Sequence, residues 1–329
     1  MYKPGSKTEP KTDSIFQKAG MSLTLVILAA GRGTRYGGNK PLAEVGPHGQ
    51  SLFEYSVYDS FGAGFQHVIF VVDAAQDTTV YKKRLAGFGD RLKVDFVTQE
   101  LNTGIADREI DLAIDSSGKG FRSKPWGTGH AVLVCQNLIA NPFVVINADD
   151  YYGRLNFEVT GNYLLDNRQN PQVCVLPGYK LKNTLSNSGG VNRGICSVCS
   201  DGYLTSIDEV RNICLDNSSS LVSDHNENNV AINGDSIVSM TFWGFHPSIF
   251  TQFDSAFRSF LKDAPDLIND EFYIPQVIDQ AIKRGMLKPR LIPTTEKWKG
   301  LTYTADLPEV RNYLAELTDA GFYPELNLL

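Results

Sequence analysis

The sequence predicts an α/β protein in three layers, with a mixed, mainly parallel sheet covered by helices on both faces. Three observations carry this. From Met21 onward, short β-branched runs alternate with amphipathic helical segments, the pattern of a largely parallel sheet. The runs themselves are too uniformly apolar to be half exposed. The chain of 329 residues, 42% hydrophobic and 21% charged, is long enough for a sizeable core and close to the globular average, which excludes a disordered or fibrous protein.

The elements follow in order. Leu23 to Ala29 reads as the first strand, His67 to Val72 as the second, with Leu92 to Val97 and Phe143 to Ile146 after them. Between the last two, Ala131, Val134, Cys135 and Leu138 fall at i, i+3, i+4, i+7 and predict one helix face. The second half changes texture. Gly194–Ser200, Asp201-Gly202 and Tyr203–Val210 predict a β-hairpin, and Ser236–Phe245 a further strand. Ile249, Phe250, Phe253, Phe257, Phe260 and Leu261 mark a helix docked on the core. Residues 212–234 are Asn- and Ser-rich and read as a surface insertion. With no internal repeat and no Pro/Gly-rich linker, residues 21–329 read as one domain, preceded by a polar extension over residues 1–20.

Composition narrows the function. With 31 Lys+Arg against 37 Asp+Glu and a net charge of −6, the chain lacks the basic footprint that nucleic-acid binding requires. Five scattered cysteines do not make a disulfide scaffold, and the lone Cys196/Cys199 pair lies in a strand with no second pair to complete a zinc site. No run approaches the length of a membrane-spanning helix, and residues 1–20 lack the apolar core of a signal peptide, so the expectation is a cytoplasmic protein without a membrane partner.

The most informative segment is Leu28-Ala-Ala-Gly-Arg-Gly-Thr-Arg-Tyr-Gly-Gly-Asn-Lys-Pro-Leu42. A buried strand runs into small residues, then glycines, then Arg35 and Lys40. Gly31 and Gly33 let backbone N–H groups approach an anion, and the two cations can neutralise a polyphosphate. The Walker A spacing fails for want of Gly-Lys-Ser/Thr, and Tyr36 stands where a dinucleotide fingerprint needs its third glycine.

Leu28–Arg35 with Lys40-Pro41 resembles the glycine-loop motif of the sugar-1-phosphate nucleotidyltransferases, which include glucose-1-phosphate thymidylyltransferase and N-acetylglucosamine-1-phosphate uridylyltransferase. The Arg35–Lys40 spacing is shorter and nearer to the molybdenum-cofactor nucleotidyltransferases. The resemblance implies the Rossmann-like fold of the nucleotide-diphospho-sugar transferases. It implies Arg35 and Lys40 as catalytic cations, with Ala30, Gly31, Gly33 and Thr34 against the nucleotide. Gln99, at the end of a strand, and Gly127-Thr128, opening a helix, match the residues that read a pyrimidine edge in the family, which favours UTP or dTTP. Without the resemblance, Gln99 is a solvated strand end and Thr128 a helix start. His130 is placed in the base loop with no proton transfer.

Phe143–Asn147 leads into Asp149 and Asp150 at the carboxyl end of a strand, the edge where open α/β sheets bind ligands. Magnesium takes hard oxygen ligands and keeps several waters, so one or two carboxylates with phosphate oxygens suffice. The resemblance puts Asp149 on Mg2+ with Asp150 beside it, and Asp306 as the second ligand. Asp306 also has, with Glu309 three residues on, the spacing of a capping box. On the sugar side, Gly194 would lie against the sugar, Glu209 would accept its hydroxyls, and Arg211 would contact its phosphate. Thr241 stands where the family often has an asparagine.

The sequence therefore predicts a nucleoside triphosphate:sugar-1-phosphate nucleotidyltransferase, or one acting on a similar phosphate monoester, releasing pyrophosphate with Mg2+. Two alternatives remain: a glycosyltransferase of related fold that uses a nucleotide-sugar, and a non-catalytic sensor of nucleotide or sugar nucleotide.

Overall fold

A computed structural model describes residues 22–31, 40–103, 122–216, 220–225 and 228–323. The polar extension over 1–20, the loop residues Gly33, Thr34 and Arg35, and residues 104–121 of the long stretch between Gln99 and Gly127 lie outside the described residues.

Strands β1 (Leu23–Leu28), β2 (Phe65–Val72), β3 (Lys93–Thr98) and β4 (Phe143–Asn147) are parallel, in the order β3-β2-β1-β4. Their carboxyl ends therefore share one edge, where Ala29 N–H donates to Val71 O at 2.8 Å and Ala148 N–H to Leu28 O at 3.1 Å. Alternation along β1 sorts the core. Leu25 and Ile27 face a layer of helices α1 (Leu52–Gly62), α2 (Thr79–Arg84) and α4 (Arg154–Asp166). Val26 faces α3 (Thr128–Leu133), α5 (Phe250–Asp263) and α6 (Ile274–Lys283) on the other side. Three layers result, as the strand pattern requires.

The α5 prediction holds: Ile249, Phe250, Phe253 and Phe257 are buried against the sheet, and Phe260 and Leu261 pack at its margin. The helix read through Leu138 does not extend that far. It ends at Leu133, a short 3-10 turn covers Gln136–Leu138, and Leu138 is 39% exposed. The spacing ran across a turn that the chain needs to enter β4. Asn141 precedes Pro142 there, which disfavours helix at that position.

The strand expected over Ser236–Phe245 is two strands, β11 (Ile237–Ser239) and β12 (Phe242–Phe245), broken at Met240-Thr241. Both pair antiparallel with β6 (Val173–Lys180), but β12 continues to β4 while β11 turns to β7 (Val191–Val198). The sheet forks at this break. β13 (Lys288–Pro293) runs parallel to β6. The predicted hairpin is present as β7 and β8 (Leu204–Leu215), with Gly202 at φ +77° in its turn, a backbone region that suits glycine. The 212–234 segment is not a plain surface insertion. β8 runs on to Leu215, and β9 (Leu221–His225) and β10 (Asn228–Ala231) continue the sheet as an antiparallel meander. Edge pairing has overridden a turn-like composition.

Two short strands, β5 (Asp150–Tyr151) and β14 (Lys299–Gly300), pair beside the end of β4. Helix α7 (Leu307–Asp319) closes that corner by packing Val310 and Leu314 with Val45, Leu52, Tyr55, Tyr151 and Tyr323. Among the described residues no helix is long and apolar enough to cross a membrane.

Candidate active site

The fork and the carboxyl edge of the parallel strands together form a cleft of about 1320 Å³. Lys40, Thr128, Asp149, Gly194, Glu209 and Arg211, six of the residues predicted to act in one site, line it. They come from five separate stretches of chain. Thr241, at the break between β11 and β12, lines it as well.

The floor is an ion cluster. The Lys40 ammonium pairs with the Asp149 carboxylate, and the two side chains are 18% and 19% exposed. Burial works to lower the Lys40 pKa, but Asp149, Asp150 and Asp306 outweigh it and hold the ammonium above the ordinary lysine value. Asp150 is buried. Its Oδ2 accepts from Asn147 Nδ2 at 3.0 Å and from the Tyr152 hydroxyl at 3.1 Å. Burial, and then the charge of Asp149, push Asp150 up to about 6, against the pull of Lys40 and Arg193. Three carboxylates, Asp149, Asp150 and Asp306, thus act on Lys40, with Arg193 acting on Asp150.

Asp306 is set apart from the cleft lining. Its Oδ2 accepts from the Tyr303 N–H at 2.7 Å and its Oδ1 from the Ser186 hydroxyl at 2.7 Å, and it is 6% exposed. Asp306 does hold the N-cap place of α7, but its side chain makes no cap bond there; it serves instead as the N3 acid of the short turn Thr304–Asp306, whose N-cap is Tyr303. Glu309 meets Lys299 and Asn187 instead of closing a capping box. Asp306 thus ties the 186–188 turn to the 303 loop, within electrostatic reach of Lys40 and behind the cleft lining.

At the end of β3, Gln99 and Gly127 are neighbours, set back from the lining. The Gln99 amide donates to Gly127 O at 2.9 Å and lies 3.3 Å from His130 Nδ1. His130 Nε2 lies 2.8 Å from Thr103 O, so Nε2 carries the proton and Nδ1 accepts. Burial holds His130 down at about 4, which favours the neutral ring. Gly127, the N-cap of α3, has φ +111°, and a Cβ there would stand 2.7 Å from Phe272 O. Thr128 is the first helical residue, and its Oγ1 accepts from the Ile274 N–H at 3.2 Å. Ala30 is buried in the core, which leaves only its backbone for a ligand. Among the described residues, nothing lies within 4 Å of a Cβ built on Gly31, so packing does not demand a glycine there.

On the other wall, Gly194 of β7 stands opposite Glu209 of β8. A Cβ at Gly194 would meet Ser239 Oγ at 2.6 Å and Ile207 Cγ2 at 2.7 Å, so any larger residue would force both side chains to move. Desolvation pushes the Glu209 carboxyl up, with Arg211 and Arg193 opposing. Arg193 was not singled out from the sequence. Its Nε donates to Thr184 Oγ1 at 3.1 Å, its Nη1 to Asn192 O at 2.8 Å and its Nη2 to Thr184 O, and its plane lies 4.8 Å from the Trp298 ring. Asn147, Trp298 and the 264–273 loop were missed as well. The one signal for Asn147 was its place at the end of an apolar strand.

Residues 25–104 match the model of the MobA-like NTP transferase domain. No curated protein sequence matches the chain. Among solved structures, one from Bacillus anthracis described as a glucose-1-phosphate thymidylyltransferase in complex with sucrose aligns with a TM-score of 0.57 at 13% identity, over 89% of this chain and 95% of that one. The inositol-1-phosphate CTP transferase from T. maritima aligns at 0.56 and 11% identity, over 90% and 97%. A UDP-glucose pyrophosphorylase complexed with UDP-glucose aligns at 0.55 and 17% identity, over 89% and 98%. The fold is that of the nucleotide-diphospho-sugar transferases.

Proposed function

We propose that the protein is a nucleotidyltransferase that joins a nucleoside triphosphate to a sugar-1-phosphate or a similar phosphate monoester and releases pyrophosphate. The observation that carries this is the cleft floor. A lysine just after the glycine-rich loop stands at a carboxylate that ends a parallel strand, with Glu209 and Arg211 on the facing wall. The match over residues 25–104 supports the nucleotide half of the reading.

In this reading the acceptor phosphate oxygen attacks the α-phosphorus in line, and the bond to the leaving pyrophosphate breaks. A phosphate monoester is already nucleophilic at neutral pH, so the protein's work is alignment and charge stabilisation. Lys40, with Arg35 on the preceding loop, offsets the charge that leaves with pyrophosphate. The segment Ala30, Gly31, Gly33 and Thr34 is the part of the chain assigned to the phosphates. Gly127 and Thr128 border the base, and Gln99 acts by holding Gly127. A pyrimidine triphosphate, UTP or dTTP, is the favoured donor. Gly194, Glu209 and Arg211 receive the acceptor.

Among the described residues, no group of three or more His, Cys, Asp or Glu side chains could enclose a metal by itself. The donor set nevertheless fits Mg2+, which needs only one or two carboxylates when phosphate oxygens and water complete its shell. Asp149 is the ligand open to the cleft. Asp306, tied to Ser186 and Tyr303, would contribute from behind. Bound there, the ion would neutralise and orient phosphate oxygens.

A screen of four nucleoside triphosphates against a panel of sugar-1-phosphates, read as pyrophosphate release with Mg2+, tests this function. Release that requires both substrates is the expected result. Cleavage of nucleotide-sugars without triphosphate use would favour the glycosyltransferase, and ligand-induced stabilisation without turnover the sensor.

A further inference from the structure

Arg122 closes the insertion that separates the strand end at Gln99 from the helix start at Thr128. Its side chain is nine-tenths buried, at 5% exposure, and its plane lies 4.3 Å from the Trp126 ring. Among the described residues, its side-chain hydrogen bonds end on main-chain carbonyls, in two groups. Nε donates to Lys124 O at 2.8 Å and Nη2 to Pro125 O at 2.5 Å, within its own segment. Nη1 donates to Leu267 O at 2.8 Å, Ile268 O at 3.3 Å and Asp270 O at 2.7 Å, in the loop between α5 and α6. One guanidinium therefore joins two segments about 145 residues apart in sequence.

The join continues toward the cleft. Phe272 N–H donates to Trp126 O at 2.6 Å, Gly129 N–H to Phe272 O at 2.8 Å, and Ile274 N–H to Thr128 Oγ1 at 3.2 Å. The near end of this seam is Thr128, on the nucleotide side. The far side carries Asn269, Glu271 and Tyr273, which line the same cleft beyond Glu209 and Arg211. A rigid fork that satisfies carbonyls from both sides holds a seam that a point charge on a flexible stem cannot reproduce.

We propose that Arg122 is a positioning residue that couples the nucleotide half of the cleft to its acceptor half, by fixing the 267–274 wall to the loop that opens α3. This rests on the assignment of those two halves made above. Occupation of the nucleotide side then stiffens the acceptor wall before an acceptor arrives, and by linkage the acceptor tightens the nucleotide.

Hydrogen exchange on the intact chain, with and without UTP and Mg2+, tests the coupling in the wild type and in Arg122→Lys. Without ligand, the amides of Gly129, Phe272 and Ile274 should exchange roughly tenfold or more faster in the variant, the equivalent of one charge-assisted hydrogen bond. Both segments should loosen together, while β1 and β4 stay protected. With UTP, the wild type should gain protection at 127–129 and at 267–274, and the variant at 127–129 alone. Loosening of one segment only, or equal UTP protection of 267–274 in the variant, overturns the coupling. If Arg122→Lys fails to fold, the wild type decides, because protection by UTP confined to 127–129 equally overturns it. A wild-type chain that UTP protects nowhere counts against the nucleotide reading, and the ligand-free comparison still judges the seam.

Discussion

The Lys40–Asp149 pair allows a double-mutant cycle whose asymmetry follows from the structure. Lys40→Met removes the ammonium paired with Asp149 and the positive charge on which Asp149, Asp150 and Asp306 act. Asp149→Asn leaves Lys40 charged, with Asp150 and Asp306 still in reach. Breaking a fully buried pair costs about 3–5 kcal/mol. With both side chains nearly one-fifth exposed, solvent screening lowers this to roughly 2–3 kcal/mol for Lys40→Met and about 1 kcal/mol for Asp149→Asn. The double variant should come out less destabilised than the sum by about 1 kcal/mol, the range for groups in contact. Urea unfolding followed by circular dichroism measures the stabilities. Pyrophosphate release measures activity, where Lys40→Met should lower kcat by roughly 10²–10³, the scale of one preorganised electrostatic donor. Asp149→Asn should instead raise the Mg2+ concentration needed for half-maximal rate. Additivity within about 0.5 kcal/mol would mean that the two groups do not interact, and would refute the paired floor from which the function is argued.

Gly127→Ala should destabilise the protein by about 1–3 kcal/mol or more, because it combines a positive φ with a contact on Phe272 backbone, and a thermal melt reads the loss. Gln99→Leu would take the amide donor from His130 Nδ1 and from the Gly127 carbonyl, which keeps the Ala131 N–H, at about 1–3 kcal/mol, and should narrow the preference for UTP or dTTP over purine triphosphates; unchanged nucleotide ratios would remove Gln99 from base selection. Asp59 is buried, accepts from Arg154 Nε and the Tyr323 hydroxyl, and is pushed by burial up to about 7. Its folded pKa stands above the unfolded value, so the stabilisation is full below about pH 4 and is lost as pH rises through about 7; Asp59→Asn should flatten that slope, by up to about 4 kcal/mol across the window in denaturant titrations. Asp306→Asn keeps one carboxamide oxygen for Tyr303 or Ser186 but not both, so it should cost about 1–2 kcal/mol; normal turnover at ordinary Mg2+ would leave Asp306 a structural tie alone.

What the sequence made legible was local. An apolar strand running into glycines, or into paired aspartates, announces itself within a dozen residues, and so β1 through β4, the Lys40 and Asp149 positions and the β7–β8 hairpin were all readable. The misreadings came from partners remote in sequence. Ser236–Phe245 looks like one strand because periodicity cannot show that its halves take different neighbours, β7 and β4. The 212–234 stretch looks like a loop because its Asn and Ser content says nothing about an available sheet edge. Arg122 and Arg193 were invisible for the same reason. Their meaning lies in carbonyls at 267–270 and 184, which no spacing rule connects to them. Asp306 shows the converse. Its spacing to Glu309 fits a capping box, yet Ser186 competes for the carboxylate from 120 positions away.

The floor charges also constrain how the proposed site would work. Lys40 now offsets Asp149, and three carboxylates, Asp149, Asp150 and Asp306, lie within reach of that one ammonium. If Lys40 serves the triphosphate, its ammonium must exchange a carboxylate partner for phosphate oxygens, and Asp149 must then find another counter-charge. A triphosphate arriving without a divalent cation would add negative charge beside these three carboxylates. Nucleotide and cation should therefore bind together and each weakly alone, a linkage set by Lys40 and Asp149 before any chemistry occurs.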